Sequence, residues 1–311
     1  MHKSIKKYLR FGGETFALAV LIACCISGSP VAAEIGPFHL GIGFSSRAFA
    51  NVPKEDIRIA VKVLSEKVAR KVVGSAESRV YDSSEDFERD LKAKKLDVMA
   101  LTPEEFIHLR NRVPLEAAMV TVAQKNLQVD LLLLVRKDSG LNSMADLKKK
   151  SISLPALMSQ LGSTYHTWLE TLVMKEGGDS LETHFSSVKD ARNGSQAVMA
   201  VFFRSAAAGV ASSQAFEVTA ELNPQVARDL KVIARIGGLA GGVIALRQDL
   251  PEDRKQKVRQ ALKTLHEDQE GRQMFMLFQL NRLTPFRPEY LKGTESLYAA
   301  HRNLKARMAR K

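Results

Sequence analysis

Between residues 38 and 112 short apolar runs alternate with amphipathic stretches, and this alternation constrains the fold more than any other feature of the chain. FHLGIGF (38–44) has the length of a strand and stops at Ser45-Ser46-Arg47. Behind Pro53, the residues Ile57, Ala60, Val61, Leu64 and Val68 recur with a helical period up to Gly74, which predicts an amphipathic helix with proline at its first position. SRVYD (78–82) reads as a second strand, the segment 84–96 as a helix capped by Ser83 or Ser84, and DVMALT (97–102) as a third strand. Thr102-Pro103-Glu104-Glu105 is a capping box with proline at N1, so a helix to Arg112 follows at once. This order predicts a parallel sheet flanked by helices. In such sheets ligands bind beyond the carboxyl ends of the strands, where helix N-termini converge.

Two extended runs follow, LEAAMVTVAQK and QVDLLLLVRK, the second apolar enough to be buried on both faces. The rhythm then restarts. A turn and a short helix behind Ser143 lead to a strand ending at Pro155, and residues 163–176 form a helix with Trp168, Leu169, Leu172 and Val173 inward, ending at Gly177-Gly178. A helix after Asp190, the small-residue strand AAAGVAS (206–212), and strands KVIARI (231–236) and GGVIALR (241–247) around a glycine-rich turn complete a second α/β unit. The remainder is helical, and Met274-Phe275-Met276-Phe278 reads as core.

The first residues have the order of an export signal. Lys3, Lys6, Lys7 and Arg10 precede the apolar run Phe16–Ile26, and Gly28-Ser29-Pro30 breaks it ahead of Val31-Ala32-Ala33, so cleavage is expected after Ala33. Leu21-Ile22-Ala23-Cys24 allows an alternative in which Cys24 is lipidated. Cleavage after Ala33 removes both cysteines, Cys24 and Cys25, and leaves a chain without disulfide, thiolate metal site or cysteine nucleophile. It also changes the formal net charge from +12 to +9. No aromatics interleave with the basic residues, so the charge reads as a solvated surface that favours anionic ligands, without nucleic-acid binding. The histidines are scattered and Glu104-Glu105 belongs to the capping box, so neither a metal site nor a cofactor is expected.

The export signal, the two α/β units and the run LLLLVRKDSGLNSMADLKKKSISLP followed by Gly162-Ser163-Thr164 together resemble the periplasmic substrate-binding proteins of phosphate, phosphite and phosphonate ABC transporters. The resemblance implies an α/β, two-lobed periplasmic-binding-protein type 2 fold, each lobe a mixed, mostly parallel sheet flanked by helices, with the ligand cleft between lobes. It places lobe one at 34–133 plus 236–311 and lobe two at 134–235, after a signal peptide at 1–33, with hinges near Leu131–Val135 and Ile233–Ile236. It implies a non-enzymatic monomer that delivers a small anionic ligand to an ABC permease in the inner membrane. A ligand-sensing module for a membrane receptor kinase is the alternative with the same fold.

By this resemblance Gly162, Ser163 and Thr164 hold an oxyanion at a helix N-terminus, where N–H groups and the helix dipole favour negative charge. Tyr165 stands where the family has a further hydroxyl, and His166 follows it. The family's acidic positions correspond to Ala206 and Ala211, followed by Ser212 and Ser213. A carboxylate in an anion site selects ligands that offer a hydroxyl proton, and its loss removes that selection. Ser45, Ser46, Arg47 and Thr102 are the expected rim of lobe one. Ser163, His166 and Glu170 share a helical face, so a periplasmic serine hydrolase is a minor alternative, although no G-x-S-x-G elbow surrounds Ser163.

Overall fold

The computed structural model describes residues 38–49, 52–72, 74–123, 126–156 and 161–310. The expected signal segment, its cleavage after Ala33, and Cys24 and Cys25 lie outside the described residues. The first half is built as the alternation predicts: β1 (Phe38–Ser45), α1 (Lys54–Val72), β2 (Gly74–Tyr81), α2 (Ser84–Lys92), β3 (Val98–Leu101), α3 (Pro103–Leu109) and β4 (Leu115–Val122). There follow β5 (Gln128–Arg136), β6 (Ser151–Pro155), α4 (Gly162–Lys175), α5 (Leu181–His184), β7 (Ser187–Ala191), α6 (Gly194–Phe202), β8 (Ala208–Ser212), α7 (Ser213–Leu222), α8 (Pro224–Asp229) and β9 (Leu230–Ala240). The chain ends with β10 (Val243–Arg247), α9 (Glu252–Lys263), α10 (Gln269–Leu277), β11 (Arg282–Pro285) and α11 (Lys292–Met308).

Among the described residues the strands form two sheets, in the orders β11-β4-β10-β3-β1-β2 and β7-β6-β8-β5-β9. Both are mixed. In the first, β1 to β4 share one direction and β10 and β11 oppose it; in the second, β5 alone opposes the rest. The LLLLV run of β5 explains itself here. Leu131, Leu133 and Val135 pack under α4 with Tyr165, Trp168 and Leu169, while Leu132 and Leu134 pack on the other face with Val198, Val201 and Val226. A strand covered on both faces has no polar side to alternate with.

The first sheet is covered in the same way. Leu40, Ile42 and Phe44 pack against Ile57, Val61 and Val68 of α1 and against α9 and α10, and Met99 and Leu101 face Phe87, Leu91 and Phe106 of α2 and α3. The expected core role of Phe275 and Phe278 is met, whereas Met276 is 67% exposed. Gly41 permits the close approach of β1 to the turn before β3, since a Cβ there would lie 1.8 Å from the Lys95 carbonyl oxygen. That approach is held by Asp97, whose carboxylate accepts the Gly41 N–H at 3.0 Å and the Arg247 guanidinium at 2.7 Å.

Some boundaries differ from the sequence reading. β5 and β9 lie whole within the second sheet, so the expected divisions at 133/134 and 235/236 fall inside strands; the first sheet's β4 ends at Val122, β5 begins at Gln128, and the chain returns to the first sheet at 241–242. β9 runs on through Gly237-Gly238, because the ladder with β5 shifts register and continues to Ala240 opposite Gln128. The C-terminal helix does not stay beside the first sheet: Leu297 of α11 packs with Tyr165 and Trp168 of α4.

Candidate functional site

The ends of two adjacent strands of the first sheet, β1 and β3, meet in one hydrogen-bonded group. Ser45 ends β1, Thr102 follows β3, and Glu105 in the first turn of α3 joins them. The Glu105 carboxylate accepts Ser45 Oγ at 2.7 Å and both the N–H and the hydroxyl of Thr102 at 3.0 Å. Thr102 Oγ1 accepts the Glu105 N–H at 3.2 Å and so completes the capping box seen in the sequence. Ser45 also caps the short 3₁₀ turn that follows it, accepting the Arg47 N–H at 3.3 Å. Ser46 is partly buried and Arg47 is exposed. The hydroxyls expected to face a ligand are therefore both donating to a carboxylate. An anion approaching this wall meets a carboxylate unless Glu105 turns away.

Across the change of sheet stands the N-terminus of α4. Helices α6 and α7 are capped by the side chains of Asn193 and Ser212, but α4 starts behind Leu161 with no side-chain cap. Leu161 has a left-handed backbone, φ 62°, a strained conformation for a leucine. Without a capping side chain, the first-turn N–H groups are directed to whatever occupies the space before the helix. The hydroxyl of Thr164, buried at 3% exposure, is already engaged at 3.2 Å by the hydroxyl of Tyr298 from α11. Burial, and the nearby Glu104 carboxylate, push the Tyr298 phenol up to about 12, against the hydrogen bonds it shares with Thr164, Ser163 and Thr167. Tyr298 was not singled out in the sequence. Its signal is the spacing of Thr294, Leu297 and Tyr298 on one face of the last helix, all of them buried.

Where the chain passes between the sheets there is a cavity of about 60 Å³, lined by Thr121, Asn126, Leu161, Tyr165, Ser212 and Gly241 among others. Its described lining carries neutral polar groups and no ionised side chain. Burial raises the Tyr165 phenol above its ordinary value, and the hydroxyl and backbone N–H of Ser212 reach its oxygen and oppose that shift. Ser212 also accepts the Ala215 N–H at 3.1 Å as the cap of α7, and Ser213 opens that helix beside it. Ser212, Tyr165 and the start of α4 are thus brought together. Ala211 is not part of this group: it points to the opposite face of the sheet, in the cluster of Leu132 and Val198. A carboxylate at 211 would face that core, so the cleft-facing residue at this strand end is Ser212. Ala206 is buried just before β8 and lines none of the cavities described here.

His166 is also elsewhere. One helical step beyond Tyr165, it lines a surface hollow with Glu182 and Asp190 on the outer side of β7. Burial pushes its imidazole below the ordinary value, partly offset by the carboxylates of Asp190 and Glu170. Glu170 instead pairs with His301 at 2.6 Å and with Lys305 at 3.3 Å from α11, so Ser163, His166 and Glu170 do not form a relay. Among the described residues no group of three or more His, Cys, Asp or Glu is placed to hold a metal ion.

Residues 48–291 match a family described as ABC transporter, phosphonate, periplasmic substrate-binding protein. The chain belongs to this family. Its fold is the type 2 periplasmic-binding-protein fold, and this solute-binding protein of an ABC importer acts outside the cytoplasm on a small anionic ligand with a membrane permease as partner. Among solved structures, XAC2383 from Xanthomonas citri bound to ATP is similar at 15% identity and TM-score 0.62, over 86% of this chain and 98% of that one. A binding-protein component of an ABC phosphonate transporter from Pseudomonas aeruginosa is similar at 16% identity and TM-score 0.58, over 86% and 88%. PhnD1 from Prochlorococcus marinus in complex with methylphosphonate is similar at 14% identity and TM-score 0.56, over 84% and 97%. At these identities the likenesses show the fold. No curated protein sequence matches the chain. Among the described residues no helix of the binding protein is long and apolar enough to cross a membrane.

Proposed function

We propose that this binding protein holds a small oxyanion, of the phosphate, phosphonate or sulfonate type, at the first turn of α4, in a cleft between two lobes. One lobe is built on the first sheet and the other on the second sheet together with α11, and the return from β9 to β10 at 241–242 is one hinge strand between them. The observation that carries the reading is the uncapped start of α4 behind Leu161, next to a cavity lined by Tyr165 and Ser212. N–H groups of a helix N-terminus with neutral hydroxyls around them can bind an anion without any cation. The family adds that the ligand is anionic.

Gly162 and Ser163 supply N–H groups, with Ser163, Tyr165 and Ser212 as hydroxyl donors. Thr164 acts through its backbone because its hydroxyl serves Tyr298. With no acidic side chain among the described residues that line the crossover cavity, fully ionised anions are accepted alongside protonated ones. The protein binds without turnover, acts as a monomer, and reaches the periplasm by a leader cleaved after Ala33.

A thermal-shift panel of phosphate, phosphite, methylphosphonate, sulfate, methanesulfonate and acetate tests this, since a ligand that prefers the native state raises the melting temperature. A tetrahedral oxyanion is expected to raise it, and Ser163→Ala to reduce the rise at equal ligand concentration. A panel without any rise, or a rise untouched by Ser163→Ala and by Ser212→Ala, contradicts the assignment.

A further inference from the structure

The last turns of α11 carry a basic face that the packing on α4 leaves open. Leu304 and Met308, partly buried, continue the stripe of Thr294, Leu297 and Tyr298 that seats the helix on the protein. A helix turns about 100° per residue, so Arg302 and Arg307 fall on the side opposite that stripe, and Arg310 follows in the turn that closes the helix. All three are exposed. Exposed arginines elsewhere are neutralised within the protein, Arg58 by Glu55, Arg89 by Asp86 and Arg204 by Asp138. Among the described residues the three of α11 have no carboxylate partner, and the sequence holds no acidic residue from Ser296 to Lys311. The face is also clear of the start of α4. The two helices lie side by side and run the same way, Thr164 meeting Tyr298 and Glu170 meeting Lys305. At 1.5 Å per residue Arg307 lies about 14 Å along α11 from Tyr298, in the direction away from the first turn of α4.

We propose that this face docks on anionic phospholipid headgroups and so rests the binding protein on the membrane that holds its permease. A guanidinium fork matches the paired oxygens of a phosphodiester, and arginines freed from internal carboxylates keep that capacity for an outside partner. No aromatic side chain stands between the arginines for a base to stack on, which favours lipid over nucleic acid. The apolar residues of the segment, Leu304 and Met308, are on the packed side, so the attachment is electrostatic, reversible and weakened by salt. Each arginine near an anionic surface tightens binding about fivefold, the equivalent of about 1 kcal/mol, so the three together amount to about a hundredfold. The protein held in this way stays near the permease while the first turn of α4 remains free for its ligand. The inference stands apart from the oxyanion reading, which can fail without it.

The test is sedimentation of the full chain with vesicles of phosphatidylcholine alone and of one part phosphatidylglycerol to two parts phosphatidylcholine, in low salt and in about 0.5 M sodium chloride. Added binding to the anionic vesicles is expected in low salt and its loss in high salt. The triple variant Arg302→Gln, Arg307→Gln, Arg310→Gln is expected to lose that added binding by about a hundredfold, with an unchanged melting temperature and unchanged response to methylphosphonate. A second triple variant, Lys62→Gln, Lys257→Gln, Lys263→Gln, removes the same charge from exposed sites on α1 and α9 and is expected to stay within about threefold of wild type. Every variant carries the same N-terminal segment, so any affinity of that segment for lipid cancels in the comparison. Equal binding of the wild-type protein to both kinds of vesicle, equal losses in the two triple variants, or a DNA duplex bound as tightly as the anionic vesicles at the same salt overturns the proposal.

Discussion

The contact between Thr164 and Tyr298 decides whether the C-terminal helix is fixed to the start of α4, and Thr164→Val tests it with little change of shape. The two hydroxyls lie 3.2 Å apart between residues that are 3% and 8% exposed. Losing one partner of a neutral buried hydrogen bond costs about 1–3 kcal/mol, because the remaining hydroxyl is stranded. Ser163 and Thr167 also reach the Tyr298 hydroxyl, so the cost here should sit low in that range, at about 1–2 kcal/mol. For a chain of this size that lowers the melting temperature by about 2–6 °C. Tyr298→Phe should cost at least as much, since it strands the buried Thr164 hydroxyl, which sits in the first turn of α4 with no preceding carbonyl of its own helix to turn to. The double variant, with both partners apolar, should be close to wild type, giving a coupling of about 1 kcal/mol by a double-mutant cycle of urea unfolding. Strictly additive losses, or a neutral Thr164→Val, would refute the docking of α11 on α4 through this pair.

Other predictions follow from the charged groups. Asp97→Ala removes the acceptor for both the Gly41 N–H and Arg247, and should cost about 3 kcal/mol, the low end for a buried pair because Arg247 keeps Asp249 at 2.6 Å. Urea unfolding should show a lower midpoint with an unchanged slope. Lys67 is nearly buried and pairs with Asp268 at 2.8 Å and Glu270 at 2.7 Å, and both carboxyls are held below their ordinary values chiefly by its hydrogen bonds. Groups with depressed folded-state values stabilise the protein above their unfolded values, near pH 4, and lose that contribution as the pH falls through the folded ones. Lys67→Met should therefore lower the melting temperature at pH 7, with the gap to wild type closing as the pH drops from 4 to 2.5; a gap of constant size would contradict the pairing.

The legible part of the fold was the part that periodicity controls. The helical spacing from Ile57 to Val68, the Thr102–Glu105 capping box and the unbroken apolar run of β5 each predict the element that forms. Pairing across the chain was not legible. Whether β5 and β9 belong to one sheet along their whole length depends on register over more than a hundred residues, and no local pattern in either strand states it. The same holds at the site. Ser45 and Thr102 stood out as strand-end hydroxyls, but their common acceptor Glu105 already had a local role as a capping residue, which concealed its second one. His166 and Tyr165 are neighbours in sequence and face different cavities, because one helical step turns a side chain by about 100°. Tyr298 comes to α4 across 134 residues of chain, a distance that no motif spans.

The most direct test of the account is a titration of the isotopically labelled protein with methylphosphonate, followed through its backbone amide resonances. Anion binding at the start of α4 predicts saturable downfield shifts of the Gly162, Ser163 and Thr164 amide protons that track one another, with smaller changes at Tyr165 and Ser212. Saturable shifts centred elsewhere, for example around His166 and Asp190, with the amides of 162–164 unmoved, would contradict it.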